Sequence, residues 1–286
     1  MGDVRVARID ELALPPDTGA WLLPEATPEL IADSGPLPAG ALACDGSLAL
    51  SVQTFALRIG ELRVLVDTGV GNDKQRANPA WSNLDTPFLA RLSAADFAPE
   101  DVDLVVITHL HTDHVGWNTR WDGSASIPTF PNATYLVARD EYEWWTGQDL
   151  DAGRRQLFAD SIEPIRASGQ LRLLDIPPDG LEVAPGLQVV RMPGHTPGHM
   201  TVRVTSGTAT AVISGDCLHH PLQLARPELN SSADIDPAQA VRSRRALLDH
   251  LADTGGLLLG THFPQPAAGT VTRTAEHYRF TLAPPE

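Results

Sequence analysis

The chain has 286 residues, 42% hydrophobic and 20% charged, the composition of a globular protein with room for one large domain or two small ones. Its formal net charge of -15 repels polyphosphate partners, and its 21 Lys and Arg form no dense basic run, so nucleic acid is set aside as a partner. No apolar run reaches the roughly 18 residues of a membrane span, and the opening MGDVRVARID lacks the apolar core of a signal peptide. Two cysteines, Cys44 and Cys217, cannot build a disulfide framework. A cytoplasmic protein with free thiols and no membrane attachment is expected.

Residues 14–47 are rich in Pro, Gly and Ala and read as a long, mostly irregular segment. Loops of that length are uncommon and often functional, so the segment is a candidate lid over a pocket or a subunit contact, the latter in a homodimer. TFALRIG and LRVLVDTG, separated at Gly60-Glu61, read as a hairpin. A helix fits 86–95. DLVVITH (Asp103 to His109) is an unbroken run rich in β-branched residues, a strand buried on both faces. ATYLVA follows, then helices over 139–146 and 151–168, then the strands LQVVRM, MTVRVTS and TATAVISG. The last helix, 237–253, has a clear start: Asp236 as N-cap, Pro237 at the first helical position and Gln239 to complete a capping box. Gly255-Gly256 ends it, and GLLLGTH is a further strand. Strands in groups separated by helices indicate a layered α/β architecture. No linker divides it, so residues 1–286 are expected to form a single domain.

The stretch THLHTDHVGWN (Thr108 to Asn118) holds three of the chain's ten histidines, with an aspartate between them. His109 and His111 are two apart, so in extended backbone they point to one side. Asp113 and His114 follow once the chain has begun to turn, and Gly116 permits close backbone approach. Four more strands run out into Gly-containing turns carrying Asp or His: Asp67 in DTGVG, His195 in GHTPGH, Asp216 in SGD and His262 in GTH. One such residue is ordinary turn chemistry. Five such strand ends, at the place where sites on α/β sheets gather, point to a metal centre.

The ordered set HLHTDH, GHTPGH, SGD and GTH, preceded by VDTG, resembles the metallo-β-lactamase superfamily over roughly residues 50–265. The resemblance implies a four-layer αββα sandwich with its metal site at one edge. Residue by residue, it implies His109, His111 and His195 on one metal and Asp113, His114 and His262 on a second, with Asp216 bridging and Asp67 orienting the ligand loop. Two divalent metal ions are expected. Zinc is the first choice, and iron, manganese and cobalt also suit His and carboxylate sets without thiolate. Two cations roughly 3.5–4 Å apart hold a hydroxide between them and polarise a carbonyl or phosphoryl oxygen. Asp113 would take a proton as the intermediate collapses.

The expected function is therefore a dinuclear metal-dependent hydrolase, attacking a small ester, lactone or phosphotriester with a metal-bridging hydroxide. It is similar to the lactonase and methyl parathion hydrolase branches. The catalytic candidates are Asp113, Asp216 and His219. In acyl homoserine lactonases of this superfamily a tyrosine occupies a place comparable to His219, and the departure puts that narrow specificity in doubt. The alternative is a mononuclear iron, persulfide dioxygenase-like oxidoreductase of the same fold. A non-catalytic scaffold fits poorly with the intact ligand set. Among residues outside that set, His199 and Cys217 read as supporting or packing residues, and Trp144 and Trp145 as core at least as readily as pocket.

Overall fold

The computed structural model describes residues 4–275 and 277–283. The described residues divide into two compact units: one holds residues 4–12 with Val52–Asp175, the other Ala13–Ser51 with the described residues from Ile176 on.

The first unit is built on a six-stranded mixed sheet in which spatial order follows chain order: Val4–Ala13, Ser51–Ile59, Leu62–Val66, Leu104–Val106, Thr134–Ala138 and Leu171–Leu174. The hairpin expected at Gly60-Glu61 is present, with Phe55 opposite Val66 and Ile59 opposite Leu62. Later neighbours pair in parallel, because helical segments carry the chain back between them. Val105, Val106, Tyr135, Leu136 and Val137 are buried, which explains why these strands read as unbroken apolar runs. Phe88, Leu92, Trp145, Phe158 and Ile162 pack into the same core as Leu65, Val105, Tyr135 and Val137.

The helix expected over 86–95 is shorter, Phe88–Ala94, since Pro87 is its N-cap. The helix expected over 151–168 is three pieces, Ala152–Leu157, a wide π turn Phe158–Ile162, and Glu163–Ala167. Asp160 and Ser161, both in the wide turn, accept from the buried Arg76 guanidinium. That satisfies a charge that burial would otherwise penalise.

The second unit is built on a seven-stranded sheet, in spatial order Tyr278–Leu282, Ala268–Arg273, Leu257–Leu259, Ala209–Ile213, Met200–Ser206, Leu187–Arg191 and Leu181–Ala184. Its one parallel pair, Ala211–Ile213 beside Leu257–Leu259, is joined by the helix Pro237–Thr254. Asp236 caps that helix by accepting from Gln239 N at 2.9 Å, and Gly255 ends it in the left-handed region at φ 66°. The reciprocal half of the expected capping box is absent: Asp236 N donates to Gly194 O, and the Gln239 side chain turns to Ser243 and Arg242.

The segment 14–47 is less irregular than its composition indicates. It contains the short helices Pro16–Leu22 and Pro28–Asp33, each with proline in its first turn, the second capped by Thr27. Leu23 and Leu48 pack with Leu222 and Leu229, and His220 Nε2 donates to Ala41 O at 2.7 Å. Trp21 stays 60% exposed.

Candidate metal centre

In the first unit the strand Leu104–Val106 ends two residues before Thr108, and the ligand-type residues follow in one turn. The His109 ring lies 4.5 Å from that of His111 and 4.0 Å from that of His114, and His114 Nε2 is 3.6 Å from Asp113 Oδ1. The four residues therefore form one group. Two of them are held from behind by hydrogen bonds. Asp67 Oδ1 accepts Thr108 N at 2.8 Å, and Oδ2 accepts both Thr108 Oγ1 and His114 Nδ1 at 2.9 Å. Because the Thr108 hydroxyl proton points to Asp67, its oxygen accepts from His109 Nδ1, 3.1 Å away. Both histidines thus carry their proton on Nδ1, and the lone pair sits on Nε2. His111 is flanked by Trp145, edge-on with ring centres 5.7 Å apart. Leu110, between the two histidines, is fixed at both backbone groups: its N donates to Glu141 Oε1 at 3.0 Å, and its O accepts from Arg154 Nη1 at 2.9 Å.

In the second unit three strand ends converge on one carboxylate. His195 Nε2 lies 3.2 Å from Asp216 Oδ2, and His262 Nε2 lies 3.0 Å from Asp216 Oδ1. The histidines repeat the arrangement of the first unit. His195 Nδ1 donates to Asp234 Oδ1 at 2.9 Å, and His262 Nδ1 donates to Ser51 O at 2.9 Å. Each therefore turns its Nε2 toward a carboxylate oxygen. Two electron-rich atoms at 3.0–3.2 Å repel unless a proton or a metal cation lies between or beside them. The donor set fits a divalent metal.

His219 joins this group. It is fully buried, its Nε2 lies 3.3 Å from Asp216 Oδ2, and its ring stacks parallel to that of His262 at 6.0 Å. Burial, partly offset by Asp216, pushes its pKa down, so the ring is neutral. His199 is different. Its Nδ1 donates to Met192 O and its Nε2 accepts from Asp216 N at 2.9 Å, so both ring nitrogens serve the backbone and neither is a ligand atom. Cys217, beside Asp216, is buried with its thiol pushed up to about 12 by desolvation. Among the described residues it belongs to none of the groups that could hold a metal.

Three supporting residues escape the sequence reading. Asp234 orients His195 and also accepts from Ser231 N. Burial alone would raise its carboxyl, but these hydrogen bonds and the neighbouring histidines outweigh that and hold it below the usual carboxylate range. Arg244, fully buried, lies 3.6 Å from Asp234 Oδ2, and its Nε donates to Cys217 O, next to Asp216. Glu141 is also fully buried. In sequence Asp234 is a turn residue and Glu141 an ordinary acid in a helix's first turn, so neither announces itself.

The sequence pattern of the Metallo-beta-lactamase superfamily matches residues 49–262, three quarters of the chain, and the chain belongs to that superfamily. Its fold is the metallo-β-lactamase fold, α/β with mixed sheets. The chain is 32% identical over 189 residues to the N-acyl homoserine lactonase AttM of Azorhizobium caulinodans, a match spanning 63% of this chain and 65% of that protein. Among solved structures it resembles the hydrolase AbOPH, at 25% identity and TM-score 0.80 over 100% of this chain and 96% of that one. It also resembles AidC, a dizinc quorum-quenching lactonase, at 19% identity and TM-score 0.81, again over 100% and 96% of the two chains. Among the described residues, no helix is long and apolar enough to cross a membrane.

Proposed function

We propose that the protein is a metal-dependent hydrolase that opens a small lactone or ester, with phosphotriesters as a further substrate class. The observation that carries this reading is the shared state of four histidines. His109, His114, His195 and His262 each donate from Nδ1 to an oxygen, which makes Nε2 the ring atom that would meet a cation. The lactonase among the relatives supports the substrate class, and the dizinc neighbour supports zinc as the metal.

In this reading the seven ligand-type residues work as one dinuclear set. His109, His111 and His195 hold one ion, Asp113, His114 and His262 hold the other, and Asp216 is shared. When bound, the ions make water nucleophilic near neutral pH and polarise the oxygen under attack. Asp113, whose side chain keeps 13% of its surface exposed, carries a proton toward the leaving oxygen. His219 works beside Asp216, either directing that carboxylate or meeting the substrate carbonyl. What favours the hydrolase over the mononuclear oxidoreductase is that the second set, Asp113, His114 and His262, is complete.

Elemental analysis of reconstituted protein, with a panel of lactones, aryl esters and phosphotriesters, tests the proposal. Two metals per chain are expected, with lactone or ester hydrolysis abolished by chelation and restored by zinc. One iron per chain with oxygen uptake would replace the hydrolase by its alternative.

A further inference from the structure

The first strand, Val4–Ala13, lies at the edge of its sheet, where charged side chains ordinarily face water. Glu11 does not. It is 3% exposed and its carboxylate is filled by three donors. Oε2 accepts Val70 N at 2.6 Å, and Oε1 accepts Gly71 N at 3.0 Å and Trp117 Nε1 at 2.7 Å. Burial pushes this carboxyl above its usual range, and the three donors pull the other way by favouring its ionised form. Arg91 fixes the strand behind it by donating to Asp10 O and Glu11 O.

The donors belong to the loop Asp67–Gly71 and to the end of the ligand stretch. Asp67, Gly69 and Gly71 have φ of 59°, 61° and 85°. Alternating left-handed residues turn successive N–H groups to one side, which makes a concavity for an anion. Here a side chain of the same chain fills it. The fit leaves no slack: a Cβ on Gly69 would come within 2.2 Å of Glu11 Oε2, and a Cβ on Gly116 within 1.8 Å of Val70 O. From this loop three backbone bonds run to the ligand stretch: Thr68 N to His114 O at 2.8 Å, Gly116 N to Gly69 O at 2.7 Å and Trp117 N to Thr68 O at 2.8 Å. The same loop begins with Asp67, the carboxylate that sets Thr108 and His114.

We propose that Glu11 is a positioning residue for the metal ligands: it stands in for an anion at the turn Val70-Gly71, ties that turn to Trp117, and through Asp67 fixes His109 and His114. The three hydrogen bonds to its carboxylate come from Val70, Gly71 and Trp117, none of them a ligand candidate. The proposal rests on the metal-centre reading and extends it to the N-terminal strand, which lies outside the matched family region of residues 49–262.

The experiment compares wild type, Glu11→Gln and Glu11→Ala as apoproteins, each titrated with zinc against a chromophoric chelator and with cobalt(II) by visible absorption. Circular dichroism checks the fold. Glu11→Gln keeps the shape but sets an amide against one of the donors. It should bind zinc about tenfold more weakly, the lower end of what outer partners of metal ligands contribute, and shift the cobalt band. Glu11→Ala should lose more, and added acetate or formate should restore part of its affinity while leaving wild type unmoved, because the emptied concavity takes an external carboxylate. Folded Glu11→Gln with wild-type zinc affinity and cobalt spectrum overturns the proposal, even where Glu11→Ala is too unstable to measure. So does a loss in a folded Glu11→Ala that no carboxylate reverses. Wild-type protein that takes up no metal would overturn the metal-centre reading, and Glu11's role with it.

Discussion

The two units supply ligand-type residues in opposite ways. The first contributes four from the single run His109–His114, and one carboxylate, Asp67, sets two of them along with the backbone between strand and turn. The second contributes three from strand ends far apart in sequence, each with its own brace: Asp234 behind His195, His199 on the Asp216 backbone, and Ser51 O behind His262. A contiguous set can be positioned by one loop. A dispersed set depends on the whole sheet holding its register, and on several separate hydrogen bonds. Changes in the first unit should therefore be few and concentrated in effect, and those in the second more numerous and individually smaller, Asp216 excepted.

That exception should give the largest effect. Asp216 is the point on which His195, His262 and His219 converge within 3.0–3.3 Å. Asp216→Ala leaves the proposed cations one shared anionic ligand short, and turnover should fall by more than the roughly 100-fold reached by outer-partner changes. A variant with near wild-type rate and full metal content would show that the second unit has no central residue.

The next effect is in stability and belongs to the second unit alone. His220 is fully buried, donating to Ala41 O and accepting from Leu222 N, and desolvation pushes its pKa down to about 4 from 6.5. Between those values the unfolded chain binds a proton that the folded chain refuses. Stability thus falls as pH drops from 6.5 toward 4, by up to roughly 3 kcal/mol. Urea unfolding of the metal-free protein across that window should show the slope, and His220→Gln should flatten it. An unchanged slope in the variant would move the acid sensitivity to other groups.

Within the supporting carboxylates the two units can be set directly against each other. Asparagine at either position presents an amide where Nδ1–H needs an acceptor, which favours the wrong tautomer. Asp67→Asn should approach the 100-fold end of the usual roughly 10- to 100-fold loss in metal affinity, since it disturbs His114, Thr108 and through it His109. Asp234→Asn should stay near tenfold, since His195 is the one ligand candidate to which it is hydrogen-bonded. Competition titration measures both, and equal losses would remove the distinction between a contiguous and a dispersed set.

The same distinction governs what could be read from the sequence. Buried parallel strands announced themselves as apolar runs, and the residues at their ends followed directly. The edge strand Val4–Ala13 did not, because VRVARIDELA mixes charged and apolar residues and only the fold reveals that Glu11 is turned inward. In GHTPGH the two histidines are equivalent as letters. Only the bond from Asp216 N makes His199 a brace while His195 stays a ligand candidate. In the segment 14–47 proline content pointed to irregular backbone, yet Pro16 and Pro28 start helices, where a missing N–H costs nothing.

The smallest effect concerns the helix Pro237–Thr254, and it tests how far the dispersed set leans on distant elements. The turn before His195 is pressed onto this helix: a Cβ on Gly194 would come within 2.2 Å of Ala240 N, and Ser243 Oγ donates to Pro193 O at 2.6 Å. Asp236 serves both partners, its side chain accepting Gln239 N and its backbone N donating to Gly194 O. Asp236→Ala removes only the side-chain cap, so it should cost about 1 kcal/mol in stability, the usual worth of an N-cap. Gln239→Ala should cost no more than a few tenths, because the Gln239 side chain does not return to the Asp236 backbone and no capping box is lost. Chemical denaturation of the two variants beside wild type separates them. If Gln239→Ala matches Asp236→Ala, the reciprocal bond forms in solution. The turn carrying His195 would then rest on two cap contacts, and the second unit's braces would be less independent than their hydrogen bonds indicate.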